Sequence, residues 1–315
     1  MFALFFEFGC VYTVDFPVEI SLRAEGPVAR RQMLSRASRY VLLGATLIGV
    51  GVLAFLTYDV VRTGGGRLDW DFLTTYPSRR AADAGLRSSI LGTAWVMALT
   101  VSIAIPVAVG TAIFMEEFAP KGKALSVIRL NIANLAGVPS IIYGILGLAV
   151  FVRGFELGGI QLIPALGPSI IAGALTLALM ILPMTVIASV EAIRQVPPSL
   201  RDGSLALGAS RWQTVWHHTL PGAVPGIMTG TILAVARAAG ETAALIVIGA
   251  FAFIAFDNSS INDSFTVVPI QIYNWTTLPQ EAFRVNASAG IIVLMVAVLS
   301  LNLIAVLIRE RFSRK

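Results

Sequence analysis

The 315-residue chain is short of charge: Asp, Glu, Lys and Arg make up 13% of it, where a soluble domain carries about 25%. It has one cysteine, Cys10, and two histidines, His217 and His218. One thiol makes no internal disulfide and no cysteine-rich metal site. Two adjacent histidines give an intramembrane serine or metal hydrolase no usual base. Neither G-x-x-x-x-G-K-[ST] nor H-E-x-x-H occurs, so the chain carries neither that ATP-binding loop nor that zinc helix. No catalytic group and no metal-ligand set is left to nominate. Low charge also excludes disorder and nucleic-acid binding as leading readings, despite a net charge of +5.

What is present is apolar sequence. Hydrophobic residues make up 56% and the mean hydropathy is +0.80. A membrane helix needs about 20 mainly apolar residues. Six runs qualify: 40–61, 88–114, 130–152, 165–190, 222–256 and 287–308. An all-α integral membrane protein is expected. The fifth run would be about 52 Å long as one helix, against a hydrocarbon core of about 30 Å. It should bend or break, with Gly240 and Gly249 as the break points.

An even number of spans puts both termini on one side. The connections on that side hold fifteen Lys and Arg, and the opposite loops hold seven. The excess places both termini and the 191–221 loop in the cytoplasm. The layout is a cytoplasmic arm over 1–39, a first span at 40–61, an extracytoplasmic loop over 62–87, five spans within 88–308, and a tail over 309–315. The start makes a poor signal peptide: it lacks a basic leading region, and Glu7 stands where Glu7-Phe8-Gly9-Cys10 would need a small apolar residue. The arm reads as a mobile extension, as an interfacial helix, or as sequence upstream of a true start at Met33.

In the fifth run the charged residues are Arg237 and Glu241. On a continuous helix they share a face and can pair. Together they cost about 5–7 kcal/mol near the bilayer centre, while the eight Leu, Ile and Val of 227–249 return about 2.4–4.8 kcal/mol. Such a helix should face a cavity or other helices. A buried ion pair can merely lock packing, but an ionisable residue inside the membrane points to function. The planar fork of Arg suits an oxyanion, and a nearby carboxylate would keep binding weak enough for release. Gly222, Gly226, Gly230, Ala234 and Ala238 form a small-residue stripe, fit for close packing within the chain or against another subunit. In the third run, which carries Asn131, Asn134 and Ser140, Gly137-Val138-Pro139 interrupts the helix. The freed backbone groups must face protein or water.

The 191–221 loop reads as two short helices. Pro197-Pro198 stop what precedes them. Ser199 and Asp202 have capping-box spacing, Gly208 permits a sharp turn, and Ser210 can cap a second helix carrying Trp212, Val215 and Trp216. The exposed apolar side chains suit either a docking knob for another protein or anchorage in the headgroups.

Gly208-Ala209-Ser210-Arg211-Trp212 through Leu220-Pro221 resembles the E-A-A-x-x-x-G…L-P loop of ABC-importer permeases. Asp202 takes the acidic position, Gly203 and Ser204 replace the two alanines, and His218 replaces an apolar residue. Ala236-Arg237-Ala238-Ala239-Gly240-Glu241-Thr242-Ala243 is similar to the R-A-x-G-E-T-A stretch of phosphate permeases of the PstA family. Asn134-Leu135-Ala136-Gly137-Val138-Pro139-Ser140 and Pro269-Ile270-Gln271-Ile272-Tyr273-Asn274-Trp275 resemble the same family.

The resemblance covers about residues 68–308. It implies a six-span type I importer permease in a bacterial plasma membrane, surrounded by lipid. The implied partners are a PstC-like permease, two PstB-like ATPases and an extracytoplasmic phosphate-binding protein. ATP-Mg would sit on the ATPases, and this chain would hold no cofactor. Arg237, Glu241 and Thr242 would line the substrate path. Asp202, Gly208, Ala209, Ser210, Trp212, Leu220 and Pro221 would couple to the ATPase. Sulfate or molybdate carriage is the alternative within this class, and an ion-coupled secondary transporter is the alternative outside it.

Overall fold

The computed structural model describes residues 27–250 and 253–313. Readings that fall on residues 1–26, Cys10 and Arg23 among them, lie outside the described residues. The chain divides into two units at Thr57/Tyr58. The described part of the arm is helical from Pro27 onward and joins the 40–61 run in one helix, α1 (Pro27–Gly64). Proline suits a helix start because its missing N–H would have no intrahelical partner there. Tyr40, Leu42, Leu47, Leu53 and Phe55 are all exposed. A surface apolar on every face suits lipid, not water.

In the second unit the central element is α6 (Ile170–Arg194), with α3 (Arg87–Ile113) and α9 (Leu220–Ala239) packed on it. The packing follows from small residues at helical spacing. In α3 the buried residues include Gly92, Val96, Thr100, Ala104, Ala108 and Ala112, one every four positions. In α9 the stripe serves the same purpose. A Cβ on Gly226 would lie 2.7 Å from the Ala192 Cβ, and one on Gly230 would collide with the Ala188 Cβ. The stripe is therefore used within the chain. Helix α12 (Glu281–Ser313) flanks α9.

The third run is two helices, α4 (Lys123–Ala136) and α5 (Ser140–Gly147), bent by 101° at the expected break. A short antiparallel hairpin follows, β1 (Phe155–Leu157) with β2 (Ile160–Ile163). The fifth run breaks at Gly240, as expected. Its helix ends at Ala239, Gly240 is the C-cap, and a separate short helix α10 (Ala243–Val247) follows. Among the described residues five helices are long and apolar enough to span a membrane, or six with the bent pair counted as one.

Contacts sort the connections onto two ends. At one end Met115, Leu125, Ile193, Val196 and Val215 form a core beneath the 191–221 loop. At the other, Phe72 of α2 (Trp70–Thr74) meets Trp275 of α11 (Val268–Thr277), with ring centroids 5.7 Å apart, over Leu86 and Phe283. There the Arg87 guanidinium donates to Asp257, with Nε–Oδ1 at 2.9 Å. This hydrogen bond holds the Asp257 carboxyl below its ordinary value.

Two predictions follow from this packing. Gly230→Leu should destabilise the purified protein by about 1–3 kcal/mol through overpacking, whereas Gly110→Ala, which meets open space inside α3, should leave thermal unfolding in detergent no lower and raise stability by up to about 1 kcal/mol. Because the Asp257 carboxyl is lowered by folding, its contribution is full above the ordinary carboxylate value of 3.8 and is lost as pH falls through the lower folded value. The stability gap between wild type and Asp257→Asn should thus stay constant through neutral pH and close only in acid below 3.8.

A candidate translocation site and the 191–221 loop

Arg237 stands in the last turn of α9, where a cation is favoured by the helix dipole. Its side chain is exposed, and Nη1 lies 2.9 Å from the Met184 sulfur of α6. Met184 precedes Arg194 by ten residues, or about 15 Å along the helix axis. The guanidinium therefore lies far from both ends of a core about 30 Å thick.

The expected Arg237–Glu241 pair does not form. A four-residue pair requires an unbroken helix, and Gly240 ends α9 between them. Glu241 turns the other way: its Oε1 accepts from the backbone N–H of Ala243 at 3.0 Å and of Ala244 at 3.4 Å. The carboxylate thus satisfies orphan donors at the start of α10. Thr242 is half-buried, and its hydroxyl donates to the Gly240 carbonyl at 3.4 Å. Among the described residues Arg237 has no carboxylate partner.

Two broken segments meet beside this site. Helix α5 packs on α10, and Gly144 allows it, since a Cβ there would stand 2.8 Å from the Ala244 Cα. The break before α5 is sewn by Tyr143, whose hydroxyl donates to the Leu135 carbonyl at 2.8 Å. The same carbonyl accepts from the Val138 N–H at 3.0 Å, so it is covered by protein, as a non-helical segment at membrane depth requires. Asn131 and Asn134 lie exposed on α4.

The loop is built from α7 (Pro198–Ala206) and α8 (Arg211–Thr214), the latter running through a π turn, Val215–Thr219, into α9. The Ser199–Asp202 capping box is absent. Pro198 opens α7, with Pro197 as its N-cap, so Ser199 is already inside the helix. Gly208 makes the turn at φ +84°, a conformation that costs glycine little. Ser210 caps α8 in a full capping box with Gln213. The Ser204 and Thr214 hydroxyls meet at 3.0 Å and tie the two helices together.

Leu207 is 91% exposed, and Trp212 and Trp216 stand out of the loop with rings 5.6 Å apart, edge to face. Asp202, Ser210 and Pro221 are exposed, Ala209 is half-buried, and Leu220 packs into the core below. The arrangement offers a firm, small, partly apolar knob.

Residues 104–315 match the model of the binding-protein-dependent transport system inner membrane component family. The chain belongs to this family. The permease is 34% identical over 275 residues to the probable ABC transporter permease protein YqgI of Bacillus subtilis, covering 84% of this chain and 90% of that protein. It is 30% identical over 233 residues to the phosphate transport system permease protein PstA 1 of Mycobacterium tuberculosis, covering 73% and 72%. Its fold is that of type I importer permeases. A bacterial ABC transporter involved in import of the acidic polysaccharide alginate superposes with a TM-score of 0.60 at 19% identity, covering 89% of this chain and 99% of that one.

Several residues of the permease site escape sequence reading. Met184 and Tyr143 sit 53 and 94 positions from Arg237, and only the fold brings those helices together. Tyr143 did carry a signal, as a lone hydroxyl just past a predicted break. Glu116 and Glu117, at the end of α3, pair with Arg194 and Arg201 of the loop region. Two acids closing an apolar run in a basic connection were visible, but their partners were not. Tyr143→Phe should cost about 0.5–1.5 kcal/mol, read as a lower unfolding temperature of the detergent-solubilised protein with its helix content unchanged.

Proposed function

We propose that this permease subunit forms half of the path of an ATP-driven importer for inorganic phosphate. The observation that carries the reading is an exposed guanidinium at membrane depth without a carboxylate partner. Left against lipid, that charge costs about 2.5–3.5 kcal/mol. Beside a second subunit and a water-filled path, it offers a planar set of donors to an oxyanion. With Glu241 engaged on α10, attraction for an anion comes from Arg237 and is not cancelled by an adjacent carboxylate. Met184, a weak acceptor, yields to a phosphate oxygen at small cost.

Phosphate is favoured among oxyanions by the R-A-x-G-E-T-A-like stretch and by relatives named as phosphate permeases, at 27–30% identity. The YqgI relative's name specifies no solute. The assembly would comprise a second, PstC-like permease, two PstB-like ATPases holding ATP-Mg, and an extracytoplasmic phosphate-binding protein. One transporter of this fold is described in complex with a pentasaccharide-bound periplasmic protein. Leu207, Trp212 and their neighbours would dock in the ATPase, with both termini in the cytoplasm.

Arg237→Gln should abolish uptake of labelled phosphate into cells or vesicles while the ATPase and second permease still co-purify. Normal uptake at normal expression would remove Arg237 from the mechanism. Excess sulfate or molybdate that competes away the label would reassign the solute. Uptake by the purified chain reconstituted alone would instead make it a secondary transporter.

A further inference from the structure

At the loop end, α3 closes in a π turn, Phe114–Phe118, that carries two adjacent acids. Extra residues of this kind redirect side chains and recur at functional sites. Here they aim Glu116 and Glu117 into three neighbouring elements. Glu116 accepts from Arg129 of α4 at 2.8 Å and from Arg194 of α6 at 3.2 Å. Glu117 forms an ion pair with Arg201 of α7, Oε1 to Nε at 2.9 Å, a charge contact without hydrogen-bond alignment between two buried atoms. The same Arg201 donates through Nη2 to the Ile193 carbonyl at 2.7 Å, closing the end of α6. Both carboxylates are largely enclosed, at 12–13% exposure, and Arg201 at 22% is the most enclosed of the three cations. This is no set of loose surface pairs, which contribute little and exchange freely.

We infer that the Glu117–Arg201 pair is the positioning contact that makes α3 follow the loop when the ATPase moves it. The inference rests on the ATP-driven reading and adds the route within this chain. Helix α7 is otherwise poorly anchored: of its side chains Ser204 is buried, and it faces α8 within the same loop. Beyond the short 195–197 connection, Arg201 ties α7 to α6 through a carbonyl and to α3 through a carboxylate, beside a ring contact between Phe118 and Trp212 of α8, centroids 6.2 Å apart. A helix held by enclosed polar contacts has discrete positions, not a continuum. Displacing α7 then drags the end of α3, and α3 packs along α6, whose Met184 meets Arg237. Glu116 brings α4, which leads into the bent segment beside the site. Glu117 and Arg201 touch no solute in this scheme.

The test uses the full transporter complex, with Cys10→Ser and spin labels at Gly203→Cys and Val107→Cys. Gly203 meets open space in α7, and Val107 is exposed in α3. Distances are read with and without ATP plus vanadate. With the pair intact, the 107–203 distance should be the same in both states, because the two helices move as one. In the double variant Glu117→Gln/Arg201→Gln it should change with nucleotide, and solute moved per ATP hydrolysed should fall about fivefold or more.

The double variant leaves no orphaned buried charge, so it assembles even where a single variant does not. Each single variant that assembles should lose as much as the double, since the members of a pair are not additive. A double variant whose distance ignores nucleotide, full coupling in that variant, or additive losses would overturn the inference. The distance readout needs nucleotide and no solute, so it stands apart from the phosphate assignment. A complex that carried sulfate would give the same distances.

Discussion

The structure turns on where the hydrogen bonding of a helix is interrupted inside apolar surroundings. Each interruption frees backbone groups that lipid cannot satisfy, so protein must be built around it. At 137–139 the cover is the Val138 N–H and the Tyr143 hydroxyl on the Leu135 carbonyl. At 240–242 it is the Glu241 carboxylate on the first N–H groups of α10. The two repairs are neighbours, because α5 and α10 pack on each other. They leave one strong cation, Arg237, at the junction. A carboxylate used to mend a helix start is not available to neutralise a guanidinium, so the break that shapes the backbone also sets the local charge.

The small residues that bring the helices together belong to the same constraint. Lipid tails are as apolar as leucine side chains, so helix association in a membrane comes from close fit more than from hydrophobic exclusion. Gly226 and Gly230 of α9 meet Ala192 and Ala188 of α6, while the buried four-residue series of α3 runs along the same helix. Tight seams on α6 leave the outer faces of α9 and α4 uncommitted within this chain. Those faces carry Arg237, Asn131 and Asn134. Close internal packing thus leaves these few polar groups standing among exposed apolar side chains such as Val127, Leu130 and Leu233.

Much of this was legible in the residues. Long apolar runs gave the spans, Gly137-Val138-Pro139 the break, Gly208 the turn, and Ser210 the cap. Arg237 and Glu241 stood out because any charge in such a run is conspicuous. Their pairing was misjudged for a specific reason. The four-residue rule assumes helix through all the intervening positions, and Gly240, already named as a break point, lies between them. Taking that glycine at face value forbids the pair. The Ser199 box failed similarly, since Pro198 starts the helix one residue earlier. What composition could not supply was topology: Glu117 and Arg201 are 84 positions apart, and no local pattern predicts that α3 and α7 end side by side.

Charge placement at the loop end complements this. The connections there are rich in Lys and Arg, and a carboxylate set among cations has several partners available. Glu116 and Glu117 are limited to particular ones by the π turn that aims them and by their enclosure beneath the loop. An acid exposed on a regular final turn would exchange partners with the solvent at little cost. An enclosed one cannot leave its arginine without exposing an uncompensated charge to a poorly solvated site. The consequence is mechanical. The loop and the membrane helices resist separation in a way that apolar contacts, which slide, do not. The same logic that leaves Arg237 free at one level of the molecule fixes Arg201 at another, and the difference lies wholly in which carboxylate the backbone directs toward each.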